Sequence, residues 1–198
     1  MHISAKNILL ASTSPYRRAL LEKTMLRFAC AAPDINESVQ ADETPEVLVQ
    51  RLAEQKARAL MVSHPGYLII GSDQVCVIRG QITGKPHTFD KAFTQLRAAS
   101  GQTVTFYTGL SLVDSDTGVA QTLFETFAVT FRRLTDDEIR GYLQLEQPFD
   151  CAGSFKCEGL GISLFENLDG RDPNTLIGLP VIALLALLRA KGINPLLG

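Results

Sequence analysis

Residues 68–85 read LIIGSDQVCVIRGQITGK. Leu68-Ile69-Ile70 is an apolar run of the buried-strand type, and Gly71 interrupts it. A Ser-Asp-Gln triplet follows, after which Val75 to Ile78 is apolar again. The pattern predicts a strand over 67–71, a break at Gly71, and a hairpin over 75–83 turning at Arg79-Gly80-Gln81. A carboxylate between two strand-like runs faces desolvation, so Asp73 needs a partner or a task. At the end of a buried strand it reads as a metal ligand or general base. It reads equally as a turn aspartate capping local backbone.

The pattern extends outward on both sides. Asn7–Ala11 is a short apolar strand, and Ser14-Pro15 opens a helix by an N-cap and a first-turn proline. That helix is expected to turn Ala19, Leu20 and Leu21 inward. Phe28–Ala32 is a second strand. Thr44-Pro45 repeats the helix start, and Val49, Leu52, Ala53, Leu60 and Met61 follow at helical spacing. Lys56 falls on or near that apolar stripe, an unusual place for a lysine. A helix is expected from about Thr88. Alternation over 103–113 and 123–131, around the turn cluster 114–118, predicts an antiparallel hairpin. Thr135 and Glu138 form a capping box for a helix to about Leu145. Ile162–Phe165 reads as a strand, and the last helix runs from about Pro180 to Ala190, stopping at Gly192.

The chain has 198 residues, of which 45% are hydrophobic, enough for a buried core. Strands and helices mix without repeats or linkers. That predicts one domain over 1–198, of α/β or mixed α+β class, with a mixed sheet and flanking helices in one or two lobes. Net charge is −2, from 19 basic and 21 acidic residues. That balance argues against a duplex nucleic-acid partner. Four scattered cysteines and three scattered histidines lack zinc-site spacing and fit a reduced, cytoplasmic setting. The longest apolar stretch, Ile177 to Leu188, is too short for a bilayer, which takes about 20 residues.

Four segments carry candidate chemistry. In ASTSPYRR (11–18) a strand ends, hydroxyls Ser12, Thr13 and Ser14 follow, and a helix begins. Free N–H groups at such a start favour anions. Arg17 and Arg18 there oppose the helix dipole, a conflict that an anionic ligand would relieve. The plain alternative is a solvated basic turn. The second segment holds Asp73, with Glu37 in DINES as a second carboxylate or an ordinary loop glutamate. The third, TGKP (83–86), fixes Lys85 on a short loop. The fourth, CAGSFKCEGLG (151–161), surrounds Lys156 and Glu158 with small residues that permit close backbone approach. No P-loop and no serine–histidine–carboxylate set occurs. Several cations, one or two carboxylates and hydroxyl-rich helix starts suit phosphoanhydride chemistry, which needs charge neutralisation, a divalent metal and a base for water.

The stretches LLASTSPYRRALLE, IIGSDQV, ITGKP, FYTGL, CAGSFKCEG and GRDPNTLIGLP occur in order along nearly the whole chain. Together they resemble the Maf family of nucleotide pyrophosphatases. The resemblance implies a mixed twisted sheet with flanking helices, akin to inosine-triphosphate pyrophosphatases, and a cleft between two lobes. It implies cleavage of nucleoside triphosphates to monophosphate and pyrophosphate with a divalent metal (Mg, Mn or Co). By position, Asp73 matches the proton acceptor. Ser12, Arg17, Arg18, Lys56, Lys85 and Lys156 match positions lining the nucleotide site. Glu37 matches an acidic position on the metal side, alongside Asp73. Relatives are often dimers, so a homodimer is an open expectation.

Three positions divide the family. Tyr16, Gln74 and Glu158 resemble the branch acting on 7-methyl-GTP rather than the branch acting on dTTP and UTP, although the former usually has tryptophan where this chain has Tyr16. N7 methylation makes guanine a delocalised cation, which an aromatic ring can stack on for roughly 0.5–2 kcal/mol. Glu158 can accept from guanine N1–H and N2–H and adds a favourable charge. Otherwise Tyr16 packs on its helix and Glu158 pairs with Lys156. Broader action on modified nucleotides, pyrimidine triphosphates, or nucleotide binding by a cell-division regulator are the alternatives.

Overall fold

The structure is a computed structural model that describes residues 6–197; His2 lies outside them. In chain order the strands are β1 (Asn7–Ala11), β2 (Phe28–Ala31), β3 (Tyr67–Ile78), β4 (Gln81–Thr83), β5 (Thr103–Asp114), β6 (Ala120–Phe131) and β7 (Phe165–Asp169). The helices are α1 (Pro15–Glu22), α2 (Pro45–Arg58), α3 (Phe89–Ala99), α4 (Asp136–Glu146), α5 (Pro173–Ile177) and α6 (Val181–Ala190). The seven strands form one mixed sheet in the order β2-β1-β3-β5-β6-β7, with β4 paired to β3. β1 runs parallel to β2 and β3, whereas β4 and β7 pair antiparallel with β3 and β6. This is the mixed α/β architecture expected from the sequence.

Local signals explain where the helices begin. The Ser14 hydroxyl accepts from Arg17 N–H at the start of α1, and Thr44 accepts from Val47 N–H at the start of α2. Thr135 and Glu138 complete the capping box of α4. Each such cap stabilises its helix by about 1 kcal/mol.

The chain gathers into two compact units. The first takes the described residues up to Asp73, Thr108–Glu125, and the described residues from Gly178 onward. The second takes Gln74–Tyr107 and Thr126–Ile177. In the first unit, Leu9 of β1, Ile69 of β3, Ala57 of α2, Leu60 just after that helix and Val113 of β5 are buried together. On α2 the buried positions run Leu48, Leu52, Lys56 and Val49, Ala53, Ala57, two rows at a spacing of four. In the second unit, Phe106, Phe131, Phe155 and Phe165 meet edge to face, with ring centroids 4.8–5.6 Å apart. Such pairs add roughly 0.5–1.5 kcal/mol each beyond their buried area.

Three expectations change. β3 does not break at Gly71 but runs unbroken through Ser72 and Asp73. A Cβ on Gly71 would lie 1.9 Å from the Ala53 carbonyl oxygen of α2. The glycine therefore admits the helix backbone instead of ending the strand. Residues 160–164 form a short 3-10 turn, so the strand expected at Ile162 begins only at Phe165. Ala19 is exposed; Leu20 and Leu21 are the buried residues of α1. The short helix α5 had no periodic signal to announce it.

Candidate active site

Lys56 is the centre of the polar cluster in the first unit. It continues the apolar row of α2 yet is only 6% exposed, beside Asp73 at 7%. Its Nζ donates to Asp73 Oδ1 at 2.6 Å and lies 3.1 Å from Glu37 Oε1. Burying a lone ammonium or carboxylate would be costly, and pairing offsets that cost for both. Asp73 is thus neither a turn residue nor a backbone cap. It stands mid-strand in β3, and no described residue donates to its Oδ2.

Arg17 joins this cluster from the first turn of α1. Burial pushes its pKa down, and the charges of Asp73 and Glu37 oppose that shift. Its Nε donates to the Gly178 carbonyl at 2.7 Å. That carbonyl also accepts from the buried Ser72 hydroxyl at 3.0 Å, and Ser72 reaches the Gly109 carbonyl at 2.8 Å. Ser12 lies buried just before the helix, its Oγ accepting from Ser14 N–H at 3.1 Å. Tyr16 is partly buried on the same turn. Arg18 is arranged otherwise: its Nε donates to Glu22 at 2.8 Å on the exposed side of α1.

The loop carrying Glu37 is clasped by α2. Arg51 donates from Nε and Nη2 to the two Glu43 oxygens at 2.6 and 2.7 Å, and to the Ser38 carbonyl at 3.0 Å. A fork of this kind orients as well as attracts. Glu37 itself remains more than half exposed, and Arg51 holds the loop beside it at the Ser38 carbonyl.

The second unit holds the other expected residues. Gln74 follows Asp73 in β3, and its amide donates to the Thr175 and Leu176 carbonyls of α5 at 2.8 and 3.2 Å. Lys85 is exposed on the loop after β4. Lys156 follows Phe155, the ring that anchors the 151–161 segment. Its backbone N–H donates to Tyr142 Oη at 3.0 Å, and its Nζ to the Glu146 carbonyl at 3.2 Å. Glu146 also accepts from Leu160 N–H at 2.8 Å. Lys156 therefore leans on Glu146 and not on the exposed Glu158. Sequence reasoning missed Ser72, Arg51, Tyr142, Glu146 and Gly178, because each acts through a tertiary contact without a local pattern.

Glu37 and Asp73 are two hard oxygen donors that already converge on one cationic group. That donor set fits a divalent ion held by one or two carboxylates together with substrate phosphates. Among the described residues no group of three or more His, Cys, Asp or Glu gathers to form a cage without substrate.

Residues 7–191 match the profile of the family described as Maf-like protein. The chain belongs to the Maf family. Its members are in general nucleotide pyrophosphatases and generally use a divalent metal. The match covers residues of both units, and every side chain placed in the candidate site lies within the Maf region. Among the described residues, no helix of this Maf protein is long and apolar enough to cross a membrane.

Proposed function

We propose that the protein hydrolyses 7-methyl-GTP to 7-methyl-GMP and pyrophosphate in the cytoplasm. The observation that supports this reading best is the buried Lys56 ammonium shared by Asp73 and Glu37, with the Arg17 charge beside it. It joins a proton-accepting carboxylate to fixed positive charge, which is what attack by water on a phosphoanhydride needs.

Asp73 takes the proton from the attacking water through Oδ2, while Lys56 holds Oδ1 and fixes the carboxylate plane. Water attacks the α-phosphorus, the bond from that phosphorus to the bridging oxygen breaks, and pyrophosphate leaves with the oxygen. Arg17, Lys85 and Lys156 offset charge on the phosphate oxygens, with Ser12 adding a hydroxyl donor. Arg18 joins them only if its pair with Glu22 opens. Glu37 and Asp73 would hold the divalent ion, which supplies charge neutralisation on the triphosphate. Tyr16 stacks on the cationic base, and Glu158 accepts from its N1–H and N2–H edge. The roles of Lys85, Lys156, Tyr16 and Glu158 rest on the family resemblance.

Pyrophosphate release measured with Mg²⁺ or Mn²⁺ over 7-methyl-GTP, GTP, dTTP, UTP and other modified triphosphates tests the reading. The highest kcat/KM is expected for 7-methyl-GTP. Turnover of dTTP and UTP without 7-methyl-GTP would reject the substrate. Binding without release would favour a regulatory protein.

A further inference from the structure

We propose that the backbone carbonyl of Gly178 is a positioning group for Arg17, fixing the guanidinium so that its two Nη groups face the phosphate chain. The inference rests on the reading above, in which Arg17 binds phosphate.

The geometry carries it. A guanidinium is planar, so holding Nε at 2.7 Å sets the orientation of the whole fork. Among the described residues, no hydrogen bond or ion pair engages Arg17 Nη1 or Nη2. The acceptor is a neutral carbonyl. A carboxylate in that place would spend the positive charge, whereas a carbonyl orients the fork and leaves its charge for a ligand. Desolvation of Arg17 favours an added anion, an effect that Asp73 and Glu37, within electrostatic reach, partly offset.

The carbonyl is itself held from two sides. Ser72, fully buried and adjacent to Asp73 in the chain, shares its hydroxyl proton between Gly178 and Gly109. Gly178 adopts φ +122°, a region that L side chains rarely enter. A Cβ there would sit 3.5 Å from Arg17 Nε, so space is ordinary and the backbone angle is the constraint. One glycine carbonyl thus ties the arginine of α1 to the strand that carries Asp73.

The test is binding of inorganic triphosphate to the metal-free protein, followed by calorimetry. Gly178→Ala should weaken binding about tenfold, and Arg17→Ala at least as much. Gly178→Ala should add less than about twofold when Arg17 is already alanine, because coupled residues are not additive. Arg17→Lys keeps the charge but has a single nitrogen and no planar fork, so an anchor on it cannot orient two separate Nη groups, and it should bind about as poorly as Arg17→Ala. It also serves where Gly178→Ala fails to fold. Multiplying losses in the double variant, wild-type binding by Arg17→Lys, or no binding by the wild type would each overturn the inference. Nucleotide hydrolysis by the wild type is scored separately. Its absence with the coupling intact removes the proposed reaction and leaves the role of Gly178 standing.

Discussion

Lys56 Nζ stands 2.6 Å from Asp73 Oδ1, with both side chains buried. The pair joins the apolar face of α2 to the middle of β3, and its two charges depend on each other.

Removing one member should therefore hurt more than removing both. Lys56→Met leaves Asp73 buried beside Glu37 without its cation, at a cost of about 3 kcal/mol. Lys56→Met with Asp73→Leu should recover part of that loss. Urea unfolding midpoints of the single and double variants check it. A double variant that loses as much as Lys56→Met and Asp73→Leu added together would show that the pair is not coupled.

The glycines of β3 and β5 are expected to be intolerant for a reason of space. A Cβ at Gly71 would lie 1.9 Å from Ala53 O, and one at Gly109 2.1 Å from Val49 O, both backbone atoms of α2. Gly71→Ala and Gly109→Ala should each cost more than about 2 kcal/mol. Gly84→Ala, which meets nothing within 4 Å, should change stability by less than about 1 kcal/mol. Thermal unfolding of the three proteins makes the comparison.

Burial pushes the Cys76 thiol up to about 12. The folded protein then keeps a proton that the unfolded chain gives up near pH 9. Stability from this group is complete below pH 9 and is lost as pH rises toward 12, by up to about 1.4 kcal/mol per pH unit. Cys76→Ala should flatten that fall in a denaturation series. Cys157, also pushed up to about 12, should resist alkylation at pH 8 while exposed Cys30 reacts.

Much of this could be read along the chain. Lys56 betrays itself by interrupting an apolar row, and Asp73 by sitting between apolar runs. Helix starts at Ser14, Thr44 and Thr135 are written in one cap residue each. Other features could not be read that way. Adjacent helical residues point about 100° apart, so the sequence alone cannot tell that Arg17 turns to Gly178 and Arg18 to Glu22. A glycine inside a strand pattern reads alike whether the strand ends or a helix backbone approaches, which is why Gly71 looked like a break. Helix α5 is one turn and a half, too short to show a period. A backbone carbonyl, as at Gly178, leaves no mark on a side-chain pattern.

Base choice should follow charge at position 158. Glu158→Gln removes the carboxylate but keeps most of the shape. Its kcat/KM for 7-methyl-GTP is expected to drop about tenfold, while pyrimidine triphosphates change least. Tyr16→Ala should also cost 7-methyl-GTP more than dTTP, through lost stacking. An equal fall for all substrates would remove both residues from base selection.

The most direct measurement is pyrophosphate release from 7-methyl-GTP by the wild type and by Asp73→Asn, with Mg²⁺ or Mn²⁺ present. Asparagine keeps the size of the side chain and loses the proton acceptor. The account predicts release by the wild type and a rate at least about a hundredfold lower for the variant, with the variant still folded. Equal rates for the two proteins, or no release by the wild type, would contradict it.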